Sequence, residues 1–298
     1  MIPVRESTRK GTLYMAVFTN QAVLTYGTTQ VLSNVTTGQI LESLAVSKTA
    51  LQDSYTSGEK ITYVVTLVNS GAAALTGLTL TDDLGAYAGG GGTLYPLTYE
   101  DNSLLVLENG VVLSDVTVQS EQPLTVTGID VPANGGTTVI YAAQVNGFAP
   151  LAAGGSITNT VQLTGNQLGQ PVTAEYTIDV TEGPQLTVEK SLEPLAVTPG
   201  ETITYTMTVS NYGNAEAGAE TNAVLTDTVT PVLTGLTVTY NGDPWTEGTE
   251  YTYSGQSGMF TTSSGAITVP AAQFSTAADG SVTVTPGTAV IVLQGTVG

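Results

Sequence analysis

Cysteine and histidine are both missing from this chain of 298 residues. Their absence removes thiol and imidazole catalysis, the usual ligand sets for zinc, and any disulfide staple. Positive charge is scarce as well: 6 Lys and Arg stand against 25 Asp and Glu, a formal net charge of -19. Such a chain repels nucleic acid and anionic lipid. No aspartate-rich loop has the regular ligand spacing of a calcium site. The acidity therefore reads as the solubility of a surface protein, and neither a metal nor an organic cofactor is expected. No run is long and apolar enough to span a membrane as a helix. The apolar run that follows Arg5, Arg9 and Lys10 is Leu13-Tyr14-Met15-Ala16-Val17-Phe18, too short for the core of a signal peptide. Either a signal was removed ahead of this numbering or export follows another route.

What is present is strand and turn composition. Thr, Val, Gly, Leu and Ala dominate, and Gly and Pro punctuate the chain at short intervals. Ile203, Tyr205, Met207 and Val209 alternate with Thr204, Thr206 and Thr208, the pattern of a half-buried strand. The length suits two sandwich domains of about 100–150 residues each.

The chain also repeats itself. Ala45-Val46-Ser47-Lys48, Gly58-Glu59-Lys60-Ile61-Thr62-Tyr63 and Val68-Asn69-Ser70-Gly71 match Thr187-Val188-Glu189-Lys190, Gly200-Glu201-Thr202-Ile203-Thr204-Tyr205 and Ser210-Asn211-Tyr212-Gly213. Each copy continues to a Leu-Thr-Asp step, at Leu80-Thr81-Asp82 and Leu225-Thr226-Asp227. Further on, Val139 to Gln144 aligns with Val290 to Gly295.

The copies differ at their ends. Copy one runs on through Ile157 to Thr164 and then an alternating strand with Val172, Ala174, Tyr176, Ile178 and Val180; copy two stops at Gly298. A matching segment lies at the other end of the chain. Phe18-Thr19-Asn20-Gln21-Ala22-Val23-Leu24-Thr25 reads like Ile157 to Thr164, and a second apolar stretch follows through Val31, Leu32, Val35 and Ile40. The expected organisation is all-β: two tandem immunoglobulin-like sandwiches plus an N-terminal donor hairpin. Residues 1–12 form a flexible basic arm and 13–40 the hairpin. Residues 41–183 are the first sandwich, and 184–298 are an incomplete second sandwich that accepts a donated hairpin. The boundary is placed near Thr181-Glu182-Gly183-Pro184.

The Lys strand, the Gly-Glu-x-Ile-Thr-Tyr strand, the Leu-Thr-Asp step and the Thr-Asn-Thr strand resemble, in that order, the bacterial surface repeats catalogued as domain of unknown function eleven. The resemblance covers nearly the whole chain from about residue 17. It implies an immunoglobulin-like sandwich with a structural or adhesive role on a Gram-positive cell wall; it does not imply an enzyme activity. The displaced closing hairpin departs from the pattern of such repeats.

Residues two apart in a strand share a face, and this parity sets polar residues among apolar ones. Lys48 goes with Leu44 and Val46, Asp82 with Leu78, Leu80 and Leu84, and Asn159 with Ile157, Val161 and Leu163. In the second set Lys190 goes with Leu186 and Val188, Asp227 with Ala223 and Leu225, and Asn20 with Phe18, Ala22 and Leu24. An unpaired buried charge costs several kcal/mol, so these residues must compensate one another. One reading is a hydrogen-bonded ion pair with an Asn partner. The other, from parity together with the family resemblance, is an isopeptide bond. Burial would leave Lys48 and Asp82 neutral. Lys48 would then attack the Asn159 carboxamide, Asp82 would polarise the carbonyl and relay protons, and ammonia would leave. Asn20 with Lys190 and Asp227 of a neighbouring subunit would repeat the chemistry between chains.

Three other features carry less. Gly89 to Gly92 lacks the Lys-Ser/Thr of a phosphate loop and reads as a flexible loop. Trp245 sits in a turn signal and reads as a packed loop aromatic; Tyr251 and Tyr253 alternate in a strand, where packing is favoured over a sugar-binding face. The function these observations favour is a structural subunit of an extracellular, surface-attached filament whose partners are copies of itself, joined head-to-tail by the hairpin. A monomeric spacer or adhesin module is the alternative. A glycosidase using paired carboxylates is disfavoured, because the acidic residues are scattered.

Overall fold

A computed structural model describes residues 15–41 and 43–298, with the side chains of 15–18 and 39–41 outside the description. The expected arm, residues 1–12, and the Phe18 side chain of the donor strand thus lie outside the described residues. Strands dominate, and the described residues contain no α-helix, only a 3-10 turn at Ala219–Thr221. The chain divides into two compact units. Unit 1 comprises the residues up to Ala149 together with Ser156–Asp179, and unit 2 comprises Pro150–Gly155 with Val180–Gly298. The Gly155 carbonyl accepts the Val180 N–H at 2.8 Å.

Unit 1 contains two six-stranded sheets facing each other across one core. The first runs Val111–Val112, Leu105–Glu108, Gly135–Val145, Lys60–Asn69, Leu44–Ala50, with Leu97–Tyr99 also paired to Gly135–Val145. The second runs Thr117–Glu121, Leu124–Val131, Leu75–Asp82, Ser156–Thr164, Val172–Val180, Ser54–Tyr55. Alternation decides which residues meet. Ile61, Tyr63, Val65 and Leu67 point inward from one sheet, and Leu78, Leu80, Val126, Ile157, Val161 and Leu163 from the other. Gly89 to Gly92 are ordered as a small hairpin. Tyr87–Gly89 pairs with Gly92–Leu94, and Gly90 and Gly91 turn with positive φ that side chains resist.

Unit 2 repeats the first sheet. Leu186–Glu193, Thr202–Asn211, Gly287–Val297, Leu233–Tyr240 and Asp243–Trp245 follow in that order. Trp245 ends a strand and stacks on Tyr240, with ring centroids 4.8 Å apart. The facing layer is smaller: Thr226–Thr228, Met259–Thr262 and Tyr251–Tyr253. Where copy one turns from Val131 to Gly135, copy two inserts the hairpin Gln273–Thr276/Val282–Thr285.

Strand register corrects one sequence alignment. Tyr63 pairs with Tyr141 and Val65 with Val139, whereas Tyr205 pairs with Leu293 and Met207 with Ile291. Val139 therefore corresponds to Ile291, not Val290. A one-residue slip exchanges the faces of a strand, and the two apolar runs, both unbroken at this point, could be overlaid either way. The residue corresponding to Tyr141 is Leu293.

An asparagine hub recurs in both units. Asn69 Oδ1 accepts from Ser43 Oγ and the Gly71 N–H, and its amide donates to the Ala73 and Val131 carbonyls. Asn211 Oδ1 accepts from the Gln185 and Gly213 N–H groups, and its amide donates to the Ala215 and Pro270 carbonyls. Each hub ties the end of the lysine strand to the turn that follows its neighbour. The Asn-x-Gly repeat carried this signal in the sequence.

Met15–Leu41 forms a single long hairpin. Met15–Asn20 pairs with Thr36–Leu41, Val23–Tyr26 with Thr29–Leu32, and Gly27 turns at φ 59°. Between the two ladders Ser33 N–H donates to the Ala22 carbonyl and Ser33 Oγ accepts the Ala22 N–H. Among the described residues these strands pair only with one another. Val23, Leu24, Tyr26, Val31, Leu32 and Val35 are all exposed.

Candidate functional site: a buried lysine, aspartate and asparagine

Lys48 occupies the edge strand of one sheet of unit 1; Asp82 and Asn159 lie on adjacent strands of the other. Their inward faces meet in the core, where all three are buried. Lys48 Nζ lies 2.5 Å from Asp82 Oδ2, and neither side chain has any solvent exposure (0%/0%). Tyr141 Oη donates to the same carboxylate oxygen at 2.5 Å. The other oxygen, Oδ1, accepts the Leu84 N–H at 3.0 Å. Asn159 Nδ2 donates to Tyr141 Oη at 3.3 Å, whereas Asn159 Oδ1 has no hydrogen-bond partner.

Two rings form the wall. Lys48 Nζ sits 4.8 Å from the centroid of Tyr63, which stacks on Tyr141 at 5.5 Å. Tyr63 Oη is the second buried atom without a partner among the described residues, and the Asn159 side chain lies close to it. Burial pulls the Lys48 amine below the ordinary lysine value, against the opposing pull of the Asp82 charge. Burial likewise pushes the Tyr141 hydroxyl well up, so the phenol stays protonated.

The turn after Asp82 fixes this geometry. Leu84 holds φ 53° and Gly85 φ 73°. A side chain on Gly85 would meet Ile157 Cγ2 at 2.5 Å, so glycine alone permits this close approach. Next door, Asp83 Oδ1 accepts the Thr160 and Gly85 N–H groups, which binds the aspartate turn to the asparagine strand. Burial raises the Asp83 pKa, and those two N–H groups oppose the rise.

The structure thus brings Lys48, Asp82 and Asn159 together. Sequence parity pointed to all three, but it assigned no role to Tyr63, Tyr141 or Asp83. Tyr63 was legible as the repeated Tyr of Gly-Glu-x-Ile-Thr-Tyr. Tyr141 was obscured by the misaligned strand. The Tyr141 hydroxyl is bonded to both Asp82 Oδ2 and Asn159 Nδ2.

In unit 2 the pair is present without its cover. Lys190 Nζ lies 2.5 Å from Asp227 Oδ2, but the two side chains are 38% and 19% exposed. Expected on a core face, they meet water because, among the described residues, Thr226–Thr228 pairs on one side only and no strand takes the place of Ser156–Thr164. Leu186 is 37% exposed where its counterpart Leu44 is 6% exposed, and Val188 is exposed beside it. Lys190 sits 4.3 Å from the Tyr205 ring centroid. The Tyr205 hydroxyl is spent on the Thr230 carbonyl at 2.9 Å, and Leu293 stands where unit 1 has Tyr141. Asn20, Ala22 and Leu24 lie exposed on the N-terminal hairpin. Among the described residues no group of His, Cys, Asp or Glu is placed to hold a metal ion.

No family model matches the sequence. No curated protein matches it. Solved structures with a similar fold include the N-terminal domain of a Streptococcus gordonii adhesin, 16% identical with a TM-score of 0.34, covering 49% of this chain and 35% of that one. This chain thus spans about a third of that domain's length. A form of the major pilin subunit of Bacillus cereus is 12% identical with a TM-score of 0.37, covering 91% of this chain and 73% of that one. The pilus backbone of Streptococcus pneumoniae is 12% identical with a TM-score of 0.34, covering 82% and 55%. The fold class is all-β.

Proposed function

We propose that this protein is the structural subunit of an extracellular surface filament, polymerising head-to-tail by donating its N-terminal hairpin to unit 2 of the next copy. One observation carries this reading: both halves of one sandwich closure are exposed within the same chain. Leu24, which matches Leu163 in sequence, is 65% exposed, whereas Leu163 is fully buried at 0%. The strand that should receive it, Thr226–Thr228, carries Asp227 and pairs on one side only among the described residues, while Leu186, Val188 and Lys190 of the lysine strand are exposed. An open edge and an apolar face invite strand addition. Burying the six exposed apolar residues of the hairpin favours docking by on the order of 1 kcal/mol each, before the entropy of association. Donor and acceptor are different surfaces, so the contact is heterologous and propagates.

Within unit 1, Lys48 and Asn159 join as an isopeptide beside Asp82. At the junction, Asn20 of one subunit comes to lie beside Lys190 and Asp227 of the next, where the same reaction is open to them. The test is deletion of residues 1–40. The truncated protein should be monomeric by light scattering and electron microscopy, with rapid hydrogen exchange in Thr226–Thr228. Fibres from the truncated chain would overturn the donor-hairpin reading. Asn20→Ala should still polymerise but fall to monomers when boiled in detergent.

A further inference from the structure

In unit 1 a continuous hydrogen-bonded path runs from Lys48 Nζ to Asp82 Oδ2, then Tyr141 Oη, then Asn159 Nδ2, in steps of 2.5, 2.5 and 3.3 Å. Among the described residues no hydrogen bond joins Asp82 to Asn159 Nδ2 directly; Oδ1 of Asp82 accepts the Leu84 N–H, and the Tyr141 hydroxyl is bonded to both the acid and the amide. All four side chains are buried. The leaving group of the proposed amide exchange is Asn159 Nδ2, and Tyr141 Oη is its hydrogen-bond partner.

We propose that Tyr141 is a catalytic residue of isopeptide formation, passing a proton from Asp82 to Asn159 Nδ2 so that this nitrogen leaves as ammonia. The proposal rests on the Lys48–Asn159 reading above. The steps balance as follows. Lys48 Nζ gives a proton to Asp82 and becomes a neutral amine. Its lone pair attacks Asn159 Cγ, forming the Nζ–Cγ bond and placing negative charge on Oδ1. Asp82 then hands its proton to the Tyr141 oxygen while the Tyr141 proton moves to Nδ2. The ionised Asp82 takes one proton from the Nζ of the adduct. Charge returns from Oδ1, the Cγ–Nδ2 bond breaks, and ammonia departs, leaving a secondary amide and a protonated Asp82. A phenol that both accepts and donates can serve as such a relay; its ring alone cannot. Tyr141 belongs to unit 1 only, since unit 2 carries Leu293 at the corresponding place. Linkage through Lys190 therefore forms more slowly than linkage through Lys48.

The experiment follows the intact mass of the full chain over time after cell-free synthesis, with tandem mass spectrometry of the Lys48–Asn159 peptide pair. The wild-type chain should lose one ammonia at this pair. Tyr141→Phe keeps the ring on Tyr63 but removes the hydroxyl, and should slow the loss by about 10²–10⁴-fold, the usual contribution of a general acid. Absence of the linkage from the folded wild type would overturn the isopeptide reading and the relay together. Linkage in wild type with an equal rate in Tyr141→Phe would overturn the relay alone. Should Tyr141→Phe fail to fold, fluorotyrosine placed at position 141 keeps the shape with a more acidic hydroxyl. A changed rate then supports the relay, and an unchanged rate refutes it.

Discussion

Removing the carboxylate from each Lys–Asp pair should have very different consequences in the two units. Asp82→Ala leaves the Lys48 amine enclosed without its carboxylate, and takes the acceptor from both Tyr141 Oη and the Leu84 N–H. Breaking a buried pair from one side costs about 3–5 kcal/mol. Because burial already pulls the Lys48 pKa down, the amine can shed its proton, which keeps the cost from rising further. At roughly 2–4 °C per kcal/mol for a domain of this size, unit 1 should melt about 6–20 °C lower. Asp227→Ala removes the same carboxylate at the same 2.5 Å separation, but Lys190 is 38% exposed and water replaces the lost oxygen. Solvent-screened pairs of that kind are worth at most about 1 kcal/mol. Both substitutions belong in an Asn159→Ala background, so that crosslinking does not enter. Trp245 is the chain's single tryptophan and lies in unit 2; its fluorescence reports that unit during denaturation, while hydrogen exchange in Lys60–Asn69 reports unit 1. Equal losses in the two units, or a loss under about 1 kcal/mol for Asp82→Ala, would refute the claim that burial rather than pairing distance sets these energies.

Asn69→Ala should destabilise unit 1 by about 2–3 kcal/mol, because it orphans buried backbone groups around the hub; Asn211→Ala should do the same in unit 2 and lower the denaturation midpoint read by Trp245. A change within about 0.5 kcal/mol, the range of ordinary surface substitutions, would remove the hubs as structural ties. In the Asn159→Ala chain, stability of unit 1 should rise with pH on approach to the ordinary lysine pKa. The sign follows from Lys48: its folded pKa is lowered, so in that window the unfolded chain binds more protons. Adding Lys48→Met should flatten the rise, and an unchanged slope would assign it to other groups.

Strands, repeat and the parity of the polar residues could all be read along the chain. Period-two alternation in Ile61–Leu67 and Ile203–Val209 left no other regular structure. Lys48, Asp82 and Asn159 each fell among inward-facing apolar neighbours, which is a local property and so readable locally. The long hairpin was legible too, because Phe18 to Thr25 copies Ile157 to Thr164. Three things were decided only by tertiary structure. Register was one: two apolar runs overlay equally well when shifted by a residue, and only pairing with Tyr63 and Tyr205 separates Tyr141 from Leu293. Burial was another. Lys190 and Asp227 have the same parity as Lys48 and Asp82, yet a face is a core only if a second layer covers it, and the free edge of Thr226–Thr228 leaves this one open. The order of the proton path was the third. Parity tells which residues share an interior, but the placement of the Tyr141 hydroxyl between Asp82 and Asn159 depends on how two sheets stack, which no single strand encodes.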